Sequence, residues 1–204
     1  FLSVASMFLG AIAAIAQKSL KRLLAYSSIG HVGYVLIALV AASDQGIKSA
    51  SIYMFMYLVM NIAVFSIILS LKTSDEYVEK IIQLNGLSKT NPILSASLTI
   101  IMLSMAGIPP FMGFFGKFYI FFAAIESKLY LLAVLGVLAS VVSAFYYLRI
   151  IKNMYFDEAA DNETFDFHIN NQAKIILFIL MFIISFFILY PSLLTDIVSG
   201  ISLN

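Results

Sequence analysis

Cysteine is absent from all 204 residues, so the chain supplies no disulfide, no thiolate metal ligand and no cysteine-held iron–sulfur cluster. Charge is scarce as well: 12 basic and 11 acidic residues leave a formal +1 at pH 7, which argues against a nucleic-acid partner. No phosphate-cradling glycine loop, catalytic triad or zinc-ligand spacing occurs. No basic segment precedes the apolar run that opens at Phe1, so that run does not read as a signal peptide. What is present is apolar. Hydrophobic residues make up 62% of the chain and mean hydropathy is +1.00, which excludes a soluble domain and predicts an all-α, polytopic transmembrane helix bundle.

Six apolar stretches suggest membrane spans over about 1–17, 23–42, 47–71, 93–125, 129–148 and 175–190, within a single membrane domain covering 1–204. The first is somewhat short of the ~20 residues a perpendicular helix wants, and we expect a chain whose upstream part is missing. The stretch Lys72 to Asn91 has Asp75, Glu76, Glu79 and Lys80 in its first half and Ile81, Ile82, Leu84 and Leu87 in its second, the pattern of a helical, interfacial connection outside the membrane. The linker Asp157 to Gln172 carries Asp157, Glu158, Asp161, Glu163, Asp166 and His168. Its spacing matches no calcium-binding loop and no glycine makes the sharp turn, so it reads as a solvated loop. Beyond the sixth span, Pro191 opens a mixed polar and apolar tail to Asn204. With sides alternating, nine basic residues (Lys18, Lys21, Arg22, Lys72, Lys80, Lys89, Arg149, Lys152 and Lys174) fall on one side against Lys48 and Lys128 on the other. The positive-inside rule puts the nine in the cytoplasm and both ends of this piece outside.

The chain is organised around the stretch Ile93 to Ile125, 33 residues with a single charge, Lys117. As one helix it would be about 50 Å long against a hydrocarbon core of about 30 Å. Gly107-Ile108-Pro109-Pro110, with Gly113 and Gly116 behind, marks where it breaks, because proline removes backbone donors and glycine tolerates unusual backbone angles. The expectation is a helix, a short unwound loop and a second helix, with the freed backbone groups facing protein or a wet cavity. Lys117 lies 9 residues before Glu126, about 14 Å in at helical rise and close to the midplane. An ammonium there costs about 2.5 to 3.5 kcal/mol, and burial favours the neutral amine, as a switchable proton carrier requires. The alternative is a lysine that glues the break together by bonding to its exposed carbonyls.

His31 lies 9 residues beyond Arg22, at similar depth. Ser27, Ser28, His31 and Tyr34 share or adjoin one helical face, offering hydroxyls and an imidazole that can take a proton on one nitrogen and release one from the other. The alternative is a neutral histidine bonded to a neighbouring helix. Asn61 suggests an interhelical hydrogen bond. No acidic residue falls inside any span, so any counter-charge for Lys117 is expected from missing sequence or another subunit. The many Phe and Met residues read as lipid-facing and packing groups.

Three runs carry a family resemblance: Lys21-RLLAYSSIGHVGYVLIAL-Val40, Gly107-IPPFMGFFGKFYI-Phe121 and Ser143-AFYYLRIIKNMY-Phe156. They resemble the antiporter-like membrane subunits of bacterial respiratory complex I, the NADH:quinone oxidoreductase, and those of the subunit N group in particular. This wider family includes Mrp-type cation/proton antiporters. The resemblance implies part of a 14-helix fold made of two inverted repeats, each with a broken helix along a hydrated axis of charged residues. Lys117 would be an axis lysine, His31 a polar member of the same repeat, and Gly107, Pro109, Pro110 and Gly113 the break of the second repeat. It also implies a multi-pass subunit in the bacterial inner membrane, partnered by other membrane subunits, lipid, water and protons. No cofactor is implied in this chain, since NADH, FMN, iron–sulfur clusters and quinone would belong to other subunits. The function implied is proton translocation coupled to electron transfer from NADH to quinone. Sodium/proton antiport is the alternative, and a non-transporting scaffold would leave the buried lysine an unexplained cost.

Overall fold

In the computed structural model, residues 1–73, 76–158, 165–167 and 171–187 are described, without the side chains of 73, 76, 165–167 and 171–173. His168, Asp161, Glu163, Asp75 and the tail beyond 187 lie outside them. The helices are α1 (Leu2–Ile15), α2 (Leu20–Val40), α3 (Asp44–Ile68), α4 (Leu87–Thr90), α5 (Pro92–Ala106), α6 (Met112–Glu126), α7 (Tyr130–Phe156) and α8 (Asn171–Phe186). Three of them, α2, α3 and α7, are long and apolar enough to cross a membrane by length and composition. α5 and α6 have 15 residues each, about 22 Å of helix, too short singly for a core of about 30 Å.

Caps explain several boundaries. Ser19 accepts from the Arg22 amide to start α2, and Ser43 accepts from the Gly46 amide to start α3. α7 runs on to Phe156, well past the expected end near Leu148. Arg149 therefore stays helical, and its guanidinium donates to the carbonyls of Ile15 (2.7 Å) and Gln17 (2.9 Å), closing the C-terminal end of α1.

The connection after α3 departs from the helical expectation. β1 (Leu71–Thr73) pairs antiparallel with β2 (Glu76–Tyr77) and with β3 (Phe165–Phe167), giving a three-stranded sheet in the order β2-β1-β3. Only the second half is helical, as a 3-10 turn over Ile81–Leu84 followed by the single turn of α4. Its apolar residues are also not interfacial as a set: Ile81, Leu84 and Leu87 are buried in the bundle core, while Ile82 is exposed.

α1 and α2 pack most closely. A Cβ on Gly33 would meet Met7 Cγ at 2.6 Å, and the Ser3 hydroxyl donates to the Gly33 carbonyl at 2.8 Å. The core of α2, α3, α5, α6 and α7 is rich in methionine, with Met56, Met60, Met102, Met105 and Met112 all buried, whereas Phe55, Phe118, Phe122, Phe145, Phe178, Phe182 and Phe186 are exposed. Met60 and Met112 thus pack the core around the break, as a flexible thioether can. Lys18, Lys80 and Arg149 line one pocket at one end of the bundle, where Lys21 also meets Glu79 at 3.8 Å. At the other end the Ser127 hydroxyl donates to the Ala41 carbonyl.

Candidate functional site

The break comes first, because it positions everything else. α5 ends on Gly107 in the left-handed region (φ 84°), where the Gly107 amide donates to the Ser104 carbonyl (2.9 Å) and the Ile108 amide to the Leu103 carbonyl (3.0 Å). This paired closure is a Schellman turn, and it depends on glycine at the left-handed position. Pro109 and Pro110 then carry the chain across to Phe111, and α6 begins at Met112. Its first turn is capped from the other half: Ser104 Oγ accepts from the Gly113 amide at 3.0 Å and donates to Met60 Sδ at 3.1 Å. A Cβ on Gly113 would overlap the Ser104 carbonyl, so glycine is what allows the two half-helices to meet.

That meeting puts Lys117, one turn into α6, over the end of α5. Its side chain crosses Gly107, where an added Cβ would stand 2.8 Å from Lys117 Cδ. The amine donates to the Ala106 carbonyl (2.9 Å) and to Ser140 Oγ on α7 (2.8 Å), and it sits 4.9 Å from the centre of the Tyr34 ring on α2. An ammonium has three protons to place, and two hydrogen bonds plus an aromatic face accommodate them. Lys117 is 4% exposed and, among the described residues, no carboxylate lies within ion-pair distance. The C-terminal end of α5 supplies the negative pole instead. A helix terminus is worth up to about 2 kcal/mol to a partly buried cation. Each charge-assisted hydrogen bond adds about 1.5 to 3 kcal/mol, so together they offset an insertion cost of about 2.5 to 3.5 kcal/mol. Within this chain the amine is thus held by a backbone carbonyl and a hydroxyl; the expected source of a counter-charge, missing sequence or another subunit, lies outside the chain.

His31 occupies a neighbouring pocket and is 3% exposed. Nδ1 lies 2.6 Å from the Tyr53 hydroxyl on α3, and Nε2 lies 3.0 Å from the Tyr147 hydroxyl on α7. The imidazole stacks on Tyr57 at 4.5 Å, and Tyr34 meets it edge-on at 6.2 Å. Tyr147 also bonds Ser27, and Tyr57 donates to Ser28 at 2.6 Å. The file read along one face of α2 is therefore not continuous by itself; hydroxyls from α3 and α7 complete it. Ser27, His31, Tyr34, Ser143 and Tyr146 line a small cavity of about 10 Å³, roughly the room one water needs. Asn61 makes no interhelical bond among the described residues; its amide donates to the Tyr57 carbonyl of its own helix at 2.9 Å.

Sequence reasoning missed Tyr53, Tyr57, Ser104, Ser140 and Tyr147. A usable signal was present: Tyr53/Tyr57 at i,i+4 and Ser140/Ser143/Tyr147 at i,i+3 and i,i+4 each place polar groups on one face of an otherwise apolar helix. No group of three or more His, Cys, Asp or Glu able to hold a metal ion occurs among the described residues.

An apolar bundle wrapped around an interrupted helix, with an amine and an imidazole enclosed at its centre, is a multi-pass membrane protein built around an internal polar site. The chain belongs to the NADH:quinone oxidoreductase/Mrp antiporter transmembrane family, whose model matches residues 1–143. NADH-quinone oxidoreductase subunit N of Pelagibacter ubique is 53% identical over 203 residues, covering 100% of this chain and 43% of that protein. A chain of respiratory complex I from Thermus thermophilus superposes with a TM-score of 0.82 at 28% identity, over 96% of this chain and 44% of that one. A chain of the Mrp complex from Dietzia sp. superposes with a TM-score of 0.81 at 18% identity, again over 96% and 44%, and shares the fold alone. The chain spans less than half the length of the curated relatives it matches.

Proposed function

We propose that this chain is part of a proton-translocating membrane subunit of NADH:quinone oxidoreductase, in which quinone reduction elsewhere drives proton movement past Lys117. The observation that carries the reading is the seat of Lys117, where an amine is enclosed at the broken end of a helix and, among the described residues, is held by groups that carry no formal charge. A formal carboxylate partner would favour the ion pair and resist loss of the proton. A carbonyl, a hydroxyl and a ring instead hold the ammonium while leaving it able to give the proton up. Lys117 alternates between charged and neutral, and His31, reached through Tyr34 and the small cavity, exchanges protons with it.

The six spans cross a bacterial inner membrane with the nine basic residues in the cytoplasm. The partners are other membrane subunits of the complex, lipid, water and protons, and the chain works as the pump module of an enzyme whose redox centres, NADH, FMN, iron–sulfur clusters and quinone sites lie in other subunits. Sodium/proton antiport has less behind it. A sodium site wants oxygen ligands, and although carbonyls of the break could supply some, no Asp or Glu falls inside any of the six apolar stretches. The full-length protein in membrane vesicles tests the choice. Copurification with flavin and iron–sulfur subunits, and NADH-driven, quinone-dependent proton uptake that ignores sodium, are expected. Sodium-dependent exchange without NADH would overturn the reading.

A further inference from the structure

We infer that the hydrogen bonds around His31 form one directed chain, Tyr53 to His31 to Tyr147 to Ser27, aimed at the small cavity beside Tyr34, and that Tyr53 is the positioning residue that sets the direction.

Tyr53 is 1% exposed, and its hydroxyl has one hydrogen-bond partner among the described residues, His31 Nδ1. A phenol has a single proton to give, and a buried donor without an acceptor is costly. Were Nδ1 to carry hydrogen, the Tyr53 O–H would have nothing to bond to. Tyr53 therefore donates, Nδ1 is bare, and a neutral imidazole must carry its hydrogen on Nε2. That nitrogen faces Tyr147 and donates to its oxygen. Tyr147 cannot give its own proton back to an N–H, so it donates to its other partner, Ser27. The Ser27 proton is then left to face the cavity that Ser27 lines. Tyr34 and Ser143 also line that cavity. Tyr34 is the ring beneath the Lys117 amine, and Ser143 bonds to the carbonyl of Ser140, whose hydroxyl accepts from Lys117.

So oriented, the bonds tie His31 through Tyr147 and Ser27 to the cavity shared with the lysine's surroundings. Tyr53, with His31 as its one partner among the described residues, holds the tautomer and is not a proton inlet, so protons enter and leave this cluster at its cavity end. That use of the cluster rests on its reading as a proton path, but the tautomer does not, and the test reads the tautomer.

Solid-state NMR on the full-length protein assembled in membranes, with histidine ¹⁵N-labelled at Nδ1 and a His31→Asn sample to identify the signal, measures it without turnover. The expected result is a bare Nδ1 favoured about tenfold or more. In Tyr53→Phe the bias disappears and both tautomers are populated. A protonated Nδ1 in the unsubstituted protein would overturn the inference, as would a Tyr53→Phe protein that keeps the single bare-Nδ1 form. A proton path that fails in pumping assays would leave either NMR result standing, so the two failures are distinguishable.

Discussion

Lys117 and His31 are both enclosed in the same bundle, yet they are held by different kinds of partner. Lys117 is gripped by backbone: the Ala106 carbonyl at the end of α5, with the helix terminus behind it, and one hydroxyl from Ser140. His31 is gripped entirely by side chains, with a tyrosine on each nitrogen and a third stacked on its face. A helix terminus is a fixed partial charge that cannot rotate or be titrated, so it suits a group that must be stabilised as a cation. Hydroxyls rotate and can donate or accept, so they suit a group that passes protons while staying neutral on average. The difference teaches that the two enclosed groups are not interchangeable: one is held by a fixed partial charge, the other by hydroxyls that can turn, which under the proposed function suits the first to storing charge and the second to passing protons.

The largest effect that would break this contrast comes from reversing the stored charge. Lys117→Glu would set a carboxylate against the Ala106 carbonyl and the negative end of α5 with no cation to answer it, a loss of about 3 to 5 kcal/mol. Little or no assembled complex is expected on native gels of membranes carrying the full-length variant, and normal assembly would count against the helix terminus as what holds the amine. Next comes the proposed proton path around His31. Tyr147→Phe keeps the Tyr53–His31 bond but cuts His31 from Ser27, and NADH-driven proton uptake is expected to fall about tenfold or more. Tyr57→Phe removes a hydroxyl that bonds Ser28 and touches no nitrogen of His31, so it should leave uptake within about twofold. Equal losses in the two variants would erase the distinction between a conducting and a packing tyrosine.

Smaller effects sharpen the account of the break. Gly113→Ala forces a methyl into the Ser104 carbonyl, and overpacking of that kind costs about 1 to 3 kcal/mol. Ser104→Ala removes the cap on the first turn of α6, worth about 0.5 to 2 kcal/mol. Thermal denaturation of the purified assembly should rank Gly113→Ala below Ser104→Ala, and the reverse order would mean that the half-helices are held chiefly by the cap.

How much of this was legible in the sequence depends on whether the signal is local. The break was legible, because Gly107, Pro109, Pro110 and Gly113 act on their own backbone wherever they occur. The burial of Lys117 and His31 was legible from their distance to the nearest flanking charges. The partners were not. Helical spacing names the face on which Tyr53 or Tyr147 lies, but which face meets which is decided by packing among α2, α3 and α7. The sheet was hidden for the same reason, since β1 pairs with β3 more than ninety residues downstream. The seat of Lys117 was not legible either, because the Ala106 carbonyl that holds the amine is backbone and has no letter of its own.

Proton uptake driven by NADH in vesicles carrying the full-length Lys117→Ala variant tests the central claim most directly, provided the assembled complex is first shown to be present at the normal level. The account predicts that quinone-dependent uptake is lost. Uptake retained at the unsubstituted rate would contradict it.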